Sequence, residues 1–135
     1  MRQSIYDMMS WWLDKGIDGF RMDVINQISK RPGLPDGPVK LHSKYGDARV
    51  TNGPRVHEFI HEMNKKVLSK YAVMSVGETH GITPEDGLKY AGFSREELNM
   101  VFEFQHLRLD NSQHGFGKWS TRRTSLVELK QVINK

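Results

Sequence analysis

The apolar residues of this chain switch repeatedly between a period near 3.6 and a period of two, and that switching limits the fold more than any other property of the sequence. Ile5, Met8, Met9, Trp12 and Leu13 recur at helical spacing, so the segment to about Lys15 is expected to be an amphipathic helix closed by Gly16. No Ser, Thr or Asp cap precedes it, which suggests a helix entered partway along. From Gly16 to Ile25 (GIDGFRMDVI) the period becomes two, with Phe20, Met22 and Val24 on one side and Gly19, Arg21 and Asp23 on the other. This predicts a strand.

Between Ser29 and Gly53 the pattern dissolves into Pro32-Gly33, Pro35, Gly37-Pro38, Gly46 and Asn52-Gly53, which predicts a long irregular βα loop over 29–53. Pro54 suits the first position of a helix carried on by Val56, Phe59, Ile60, Met63, Val67 and Tyr71. Ala72–Gly77 is a short apolar run of strand length. Thr83-Pro84-Glu85-Asp86 is the pattern of a capping box opening a short helix, and Ser94–Glu97 is expected to open a further turn. Met100–Phe104 predicts a third strand. A polar stretch containing Gly115 and Gly117 then leads to a final helix, capped by Ser125 and Glu128.

Strands that alternate with helices imply parallel crossovers and an α/β fold. A closed barrel of this kind needs eight strands over about 250 residues. With three predicted strands in 135 residues, the chain holds less than half of one.

Composition narrows the chemistry. The absence of Cys excludes a disulfide scaffold and any thiol-ligated metal site. No apolar run approaches the roughly 18 residues of a membrane span, and the first residues do not form a secretory signal, so a soluble cytoplasmic chain is expected. The 20 basic and 16 acidic residues give a net charge of +4. Lys and Arg are nevertheless interleaved with acids as singles or doublets (Lys65-Lys66, Arg122-Arg123), which argues for a solvated surface and against a nucleic-acid partner.

Alternation places Arg21 and Asp23 on the same side of one strand, where burial would favour their mutual pairing. The bland reading is a structural ion pair or a solvent-facing strand side. Glu78 follows an almost wholly apolar strand and falls where a parallel strand runs out into its loop. Reactive groups of barrels and open α/β sheets gather at such strand ends, although a lone Glu there is more often a cap or a solvated acid. With one crossover between them, Asp23 and Glu78 are able to face one cavity. Two carboxylates in unlike surroundings suit cleavage of a glycosidic bond with retention, at a separation of about 5 to 5.5 Å.

The strings DGFRMDVIN, VGETHG and MVFEFQH, in that order and at compatible spacing, resemble the α-amylase family of glycoside hydrolases, in its oligo-1,6-glucosidase and dextran glucosidase branch. YDMMSWWLDKGIDGFRMDVINQISK and GKWS near Trp119 extend the resemblance over nearly the whole chain. It implies a partial (β/α)8 TIM barrel, from about the fourth to the sixth strand with their helices. By the same resemblance Asp23 is the nucleophile, Glu78 the general acid/base, and Arg21 the residue that orients the nucleophile. Val24 matches a position where Val accompanies preference for α-1,6 links; a core role is its plain alternative. Arg108-Leu109-Asp110 partly resembles a stretch of sucrose isomerases, but continues with Asn111 and Ser112. Glu103, which alternates with Phe102 and Phe104, is expected to point into the barrel interior, where a structural role in a polar layer is at least as good a reading as sugar contact.

The family's first-subsite Asp and His and its later His-Asp pair have no counterpart among these residues. The chain is therefore expected to be a central barrel fragment of an α-glucosidase acting on gluco-oligosaccharides, inactive when isolated and prone to self-association through open sheet edges. Trehalose-6-phosphate hydrolase, sucrose isomerase and a non-catalytic remnant are the alternatives. No cofactor and no metal are implied. His57-Glu58-Phe59-Ile60-His61 spells the HExxH string, but the two His are expected on a solvated helix face rather than at a metal.

Overall fold

The computed structural model describes residues 1–35, 50–110 and 123–134 of the protein. Its elements follow in the order α1 (Arg2–Asp14), β1 (Gly19–Met22), α2 (Val56–Lys66), β2 (Met74–Glu78), α3 (Pro84–Ala91), β3 (Met100–Phe102) and α4 (Leu126–Ile133). The three strands form one parallel sheet in the order β1-β2-β3, with Arg21 beside Val76, Met22 beside Gly77 and Glu78 beside Phe102. Helix and strand alternate as the changing period predicts.

The core lies between the sheet and its helices. Tyr6, Met9 and Leu13 come from α1, Val56, Ile60 and Met63 from α2, and Ile25, Ile82, Tyr90 and Leu98 from the connections and α3. The buried face of α1 is thus narrower than its apolar stripe: Ile5, Met8 and Trp12 are 44%, 47% and 44% exposed. One α-helix can turn only one side to a sheet, and the remaining apolar residues look outward.

Gly16 closes α1 at φ +91°, and its N–H donates to Leu13 O at 2.9 Å, a turn that suits a residue without a side chain. Gly19 lets the backbones of β1 and β2 approach. A Cβ there would stand 1.8 Å from Met74 O.

The strands are shorter than their alternating patterns. β1 stops at Met22 because Val24 turns into the left-handed region at φ +40°, which sends the chain into a single 3₁₀ turn over Ile25–Gln27. β3 likewise ends at Phe102 rather than Phe104. Helix α2 begins after Pro54, at Val56, and gives way to a 3₁₀ turn over Leu68–Lys70 before reaching Tyr71. The turn expected at Ser94–Glu97 falls slightly earlier, over 93–95, with the Arg95 N–H donating to Gly92 O at 2.9 Å. Both capping boxes are present: Thr83 with Asp86 opens α3, and Ser125 with Glu128 opens α4.

The expected loop over 29–53 falls partly outside the described residues, as do Gly115, Gly117, Trp119, Asn111 and Ser112. Its two ends meet: buried Ser29 accepts the Arg55 N–H at 3.0 Å, and the Asn52 N–H donates to Asn26 O at 2.8 Å.

Candidate active site

The site grows out of strand register. Phe20 and Met22 pack toward the core, and a Cβ on Gly77 would meet Leu98 and Ile25 at 2.6 and 2.8 Å, so these positions mark the helix-covered side of the sheet. Alternation then puts Arg21 on the opposite side, in line with Val76, while Glu78 lies two residues further along β2 on that same side. Beyond β3, Phe104 continues the alternation from Phe102. Arg21, Glu78 and Phe104 therefore gather at the C-terminal ends of three neighbouring strands.

Asp23 lies one residue past the end of β1 and joins them through Arg21. The Arg21 Nη1 atom is 2.8 Å from Asp23 Oδ1, and Nη2 contacts Glu78 Oε2. One guanidinium thus holds both carboxylates. Their surroundings differ, since the Asp23 side chain is 70% exposed and that of Glu78 only 10%. Val24 follows directly, in its left-handed turn, where a β-branched residue is strained.

Sequence reasoning left out His80. Its Nε2 atom is 2.6 Å from Glu78 Oε1, and its ring stacks on Phe104 at a centroid distance of 4.7 Å and an angle of 23°. The signal was present in VGETHG, because His80 stands two residues after Glu78 and alternation continues a short way past a strand end. The backbone here is fixed from both sides: fully buried Asn26 donates its Nδ2 to His80 O at 2.9 Å, and Thr79 Oγ1 donates to Phe102 O at 2.8 Å. Thr79 and Asn26 thereby lock the chain that carries the two side chains facing the site.

Glu103 does not face this side. It shares a groove with Val101, Gly87 and Ile133 between α3, β3 and α4, and its Oε1 accepts the Gln105 N–H at 2.6 Å. His57 and His61 also depart from expectation. The His57 Nδ1 atom is 2.8 Å from the buried carboxylate of Glu97, which also accepts from Arg95 at 2.8 Å, and His61 lies 3.2 Å from Arg95 O and Glu96 O. They fasten α2 to the turn before β3. No group of three or more His, Cys, Asp or Glu able to hold a metal occurs among the described residues.

Parallel strands alternating with helices, with polar groups collected at the strands' C-terminal ends, define part of a (β/α)8 barrel. The family model for the alpha amylase catalytic domain matches residues 1–135, and the chain belongs to that family. It is 74% identical over 134 residues to the alpha-glucosidase of Pediococcus pentosaceus, covering 99% of this chain and 24% of that protein. It is 56% identical over 137 residues to the oligo-1,6-glucosidase of Parageobacillus thermoglucosidasius, covering 100% and 24%. The crystal structure of Bacillus licheniformis trehalose-6-phosphate hydrolase superposes with a TM-score of 0.83 at 43% identity, over 98% of this chain and 23% of that one. The chain spans about a quarter of the length of these relatives. Among the described residues no helix is long and apolar enough to cross a membrane.

Proposed function

We propose that these residues are the central part of the catalytic barrel of a cytoplasmic, retaining α-glucosidase that releases glucose from short α-1,6-linked gluco-oligosaccharides. The observation that carries this reading is the single guanidinium shared by an exposed and a buried carboxylate at adjacent strand ends. The linkage preference draws on the oligo-1,6-glucosidase at 56% identity and on Val24.

In this reading Asp23, oriented by Arg21, attacks the anomeric carbon as the glycosidic bond breaks, and Glu78 gives a proton to the departing oxygen. Water then attacks the glycosyl–Asp23 ester, Glu78 takes the water's proton, and glucose leaves with its anomeric configuration retained. A sugar entering between the acids displaces the Arg21–Glu78 contact and leaves the guanidinium on Asp23. Val24 shapes the region of the leaving sugar. No metal or organic cofactor takes part.

The test restores a complete barrel by joining residues 1–135 in frame to the flanking segments of the Pediococcus pentosaceus alpha-glucosidase. The expected result is glucose release from isomaltose that Asp23→Asn and Glu78→Gln each reduce by at least about a thousandfold. Unchanged turnover in either variant would remove that residue from the chemistry. A second reading, hydrolysis of a phosphorylated disaccharide, is favoured by the superposition on trehalose-6-phosphate hydrolase. Higher kcat/KM on trehalose 6-phosphate than on isomaltose would select it.

A further inference from the structure

We propose that His80 is a positioning residue for Glu78, holding Oε1 so that the carboxyl's other oxygen, Oε2, meets the departing oxygen of the substrate with its proton; this rests on the reading of Glu78 as the general acid. Three contacts, two of the ring and one of the backbone, make His80 a fixed part of the site. Its Nε2 atom is 2.6 Å from Glu78 Oε1, its ring stacks on Phe104, and its carbonyl accepts from the buried Asn26. A carboxylate oxygen is only an acceptor, so the nitrogen facing it carries the hydrogen.

The two Glu78 oxygens therefore have different neighbours, Arg21 on Oε2 and His80 on Oε1. Once a sugar draws Arg21 back to Asp23, His80 is the neighbour that keeps the carboxyl from rotating. The Glu78 side chain is only 10% exposed, so water competes poorly for this place.

General-acid assistance matters most when the leaving group is a poor one, and this separates positioning from general structural damage. In the restored barrel, His80→Phe keeps an aromatic ring for Phe104 and removes the nitrogen. The expected kcat/KM on isomaltose falls roughly 10- to 100-fold. On p-nitrophenyl α-glucoside, whose leaving group departs with little protonation, kcat/KM is expected to stay within about threefold. His80→Gln, which restores an N–H at similar reach, recovers most of the isomaltose activity. Equal losses on both substrates, or no loss on isomaltose, would overturn the role of His80 while Glu78→Gln still reports on the acid itself. A restored barrel inert on both substrates before any substitution would overturn the hydrolase reading and this role together.

Discussion

Gly19→Ala tests whether the close approach of β1 and β2 is what brings the two acids together. An alanine Cβ would stand 1.8 Å from Met74 O and 2.8 Å from Met74 C. Carbon and oxygen normally approach to about 3.3–3.6 Å, so the strands must part by roughly 1.5 Å at this point. Overpacking of this kind costs about 1–3 kcal/mol, and loosening the neighbouring Met74 N–H to Asp18 O bond, now 2.9 Å, adds about 0.5–1.5 kcal/mol. The expected loss is about 2–4 kcal/mol in urea unfolding of the restored barrel. Arg21 lies two residues along the same strand, and a shift near 1 Å at reacting groups costs about a hundredfold in rate, so kcat/KM on isomaltose should fall by that order. Gly16→Ala is the control. Its φ is +91° but nothing lies within 4 Å of its Cβ, so it should cost only about 1–2 kcal/mol and leave turnover intact. Equal stability losses in the two variants, with turnover preserved in Gly19→Ala, would refute the idea that strand proximity assembles the site.

Other perturbations follow from contacts away from the acids. Thr83→Ala removes the cap of α3 and should destabilise the restored barrel by about 1 kcal/mol in a thermal melt. The Asp86 carboxyl is held below its ordinary value chiefly by its hydrogen bond from Lys89, so its contribution to stability is present above about pH 4 and is lost as pH falls through the lower folded value. Lys89→Met should flatten the dependence of melting temperature on pH in that acid range. Glu97→Gln should destabilise by about 1–3 kcal/mol, because it weakens the buried acceptor shared by His57 and Arg95; hydrogen exchange should rise first in the turn before β3. The isolated 135-residue chain should elute above monomer size and release no glucose from isomaltose, and Met100→Lys with Phe102→Lys, on the uncovered side of β3 where they are 41% and 42% exposed, should shift elution toward the monomer.

The alternation of periods made the order of elements legible, because sheet and helix bury one side at different spacings. The capping residues Thr83 and Ser125 located two helix starts, since their hydroxyl chemistry acts within four residues and needs no tertiary partner. What escaped depends on contacts distant in sequence. The α1 stripe did not reveal that Tyr6, rather than Ile5 or Trp12, faces the core, as only the position of the sheet decides that. Glu103 was expected on the barrel interior and instead takes the side of the groove beside α4, which only the placement of α3 and α4 decides. His57 read as solvated because its partner Glu97 is forty residues away. At the site, Asp23, Arg21 and Glu78 were legible as unusual charges on or just past strands, whereas His80 drew no reading, because its stacking partner Phe104 lies on another strand's extension.

The arginine clasp between the two acids bears on how such a barrel can be rearranged over generations. Asp23, Arg21 and Glu78 are carried by two adjoining strands and the crossover between them, so a genetic exchange with endpoints outside that stretch transfers the trio intact. An exchange inside the crossover mates one acid with a stranger's strand, and the newcomer must reproduce the fit at Gly19 and Met74 before the guanidinium can reach both partners.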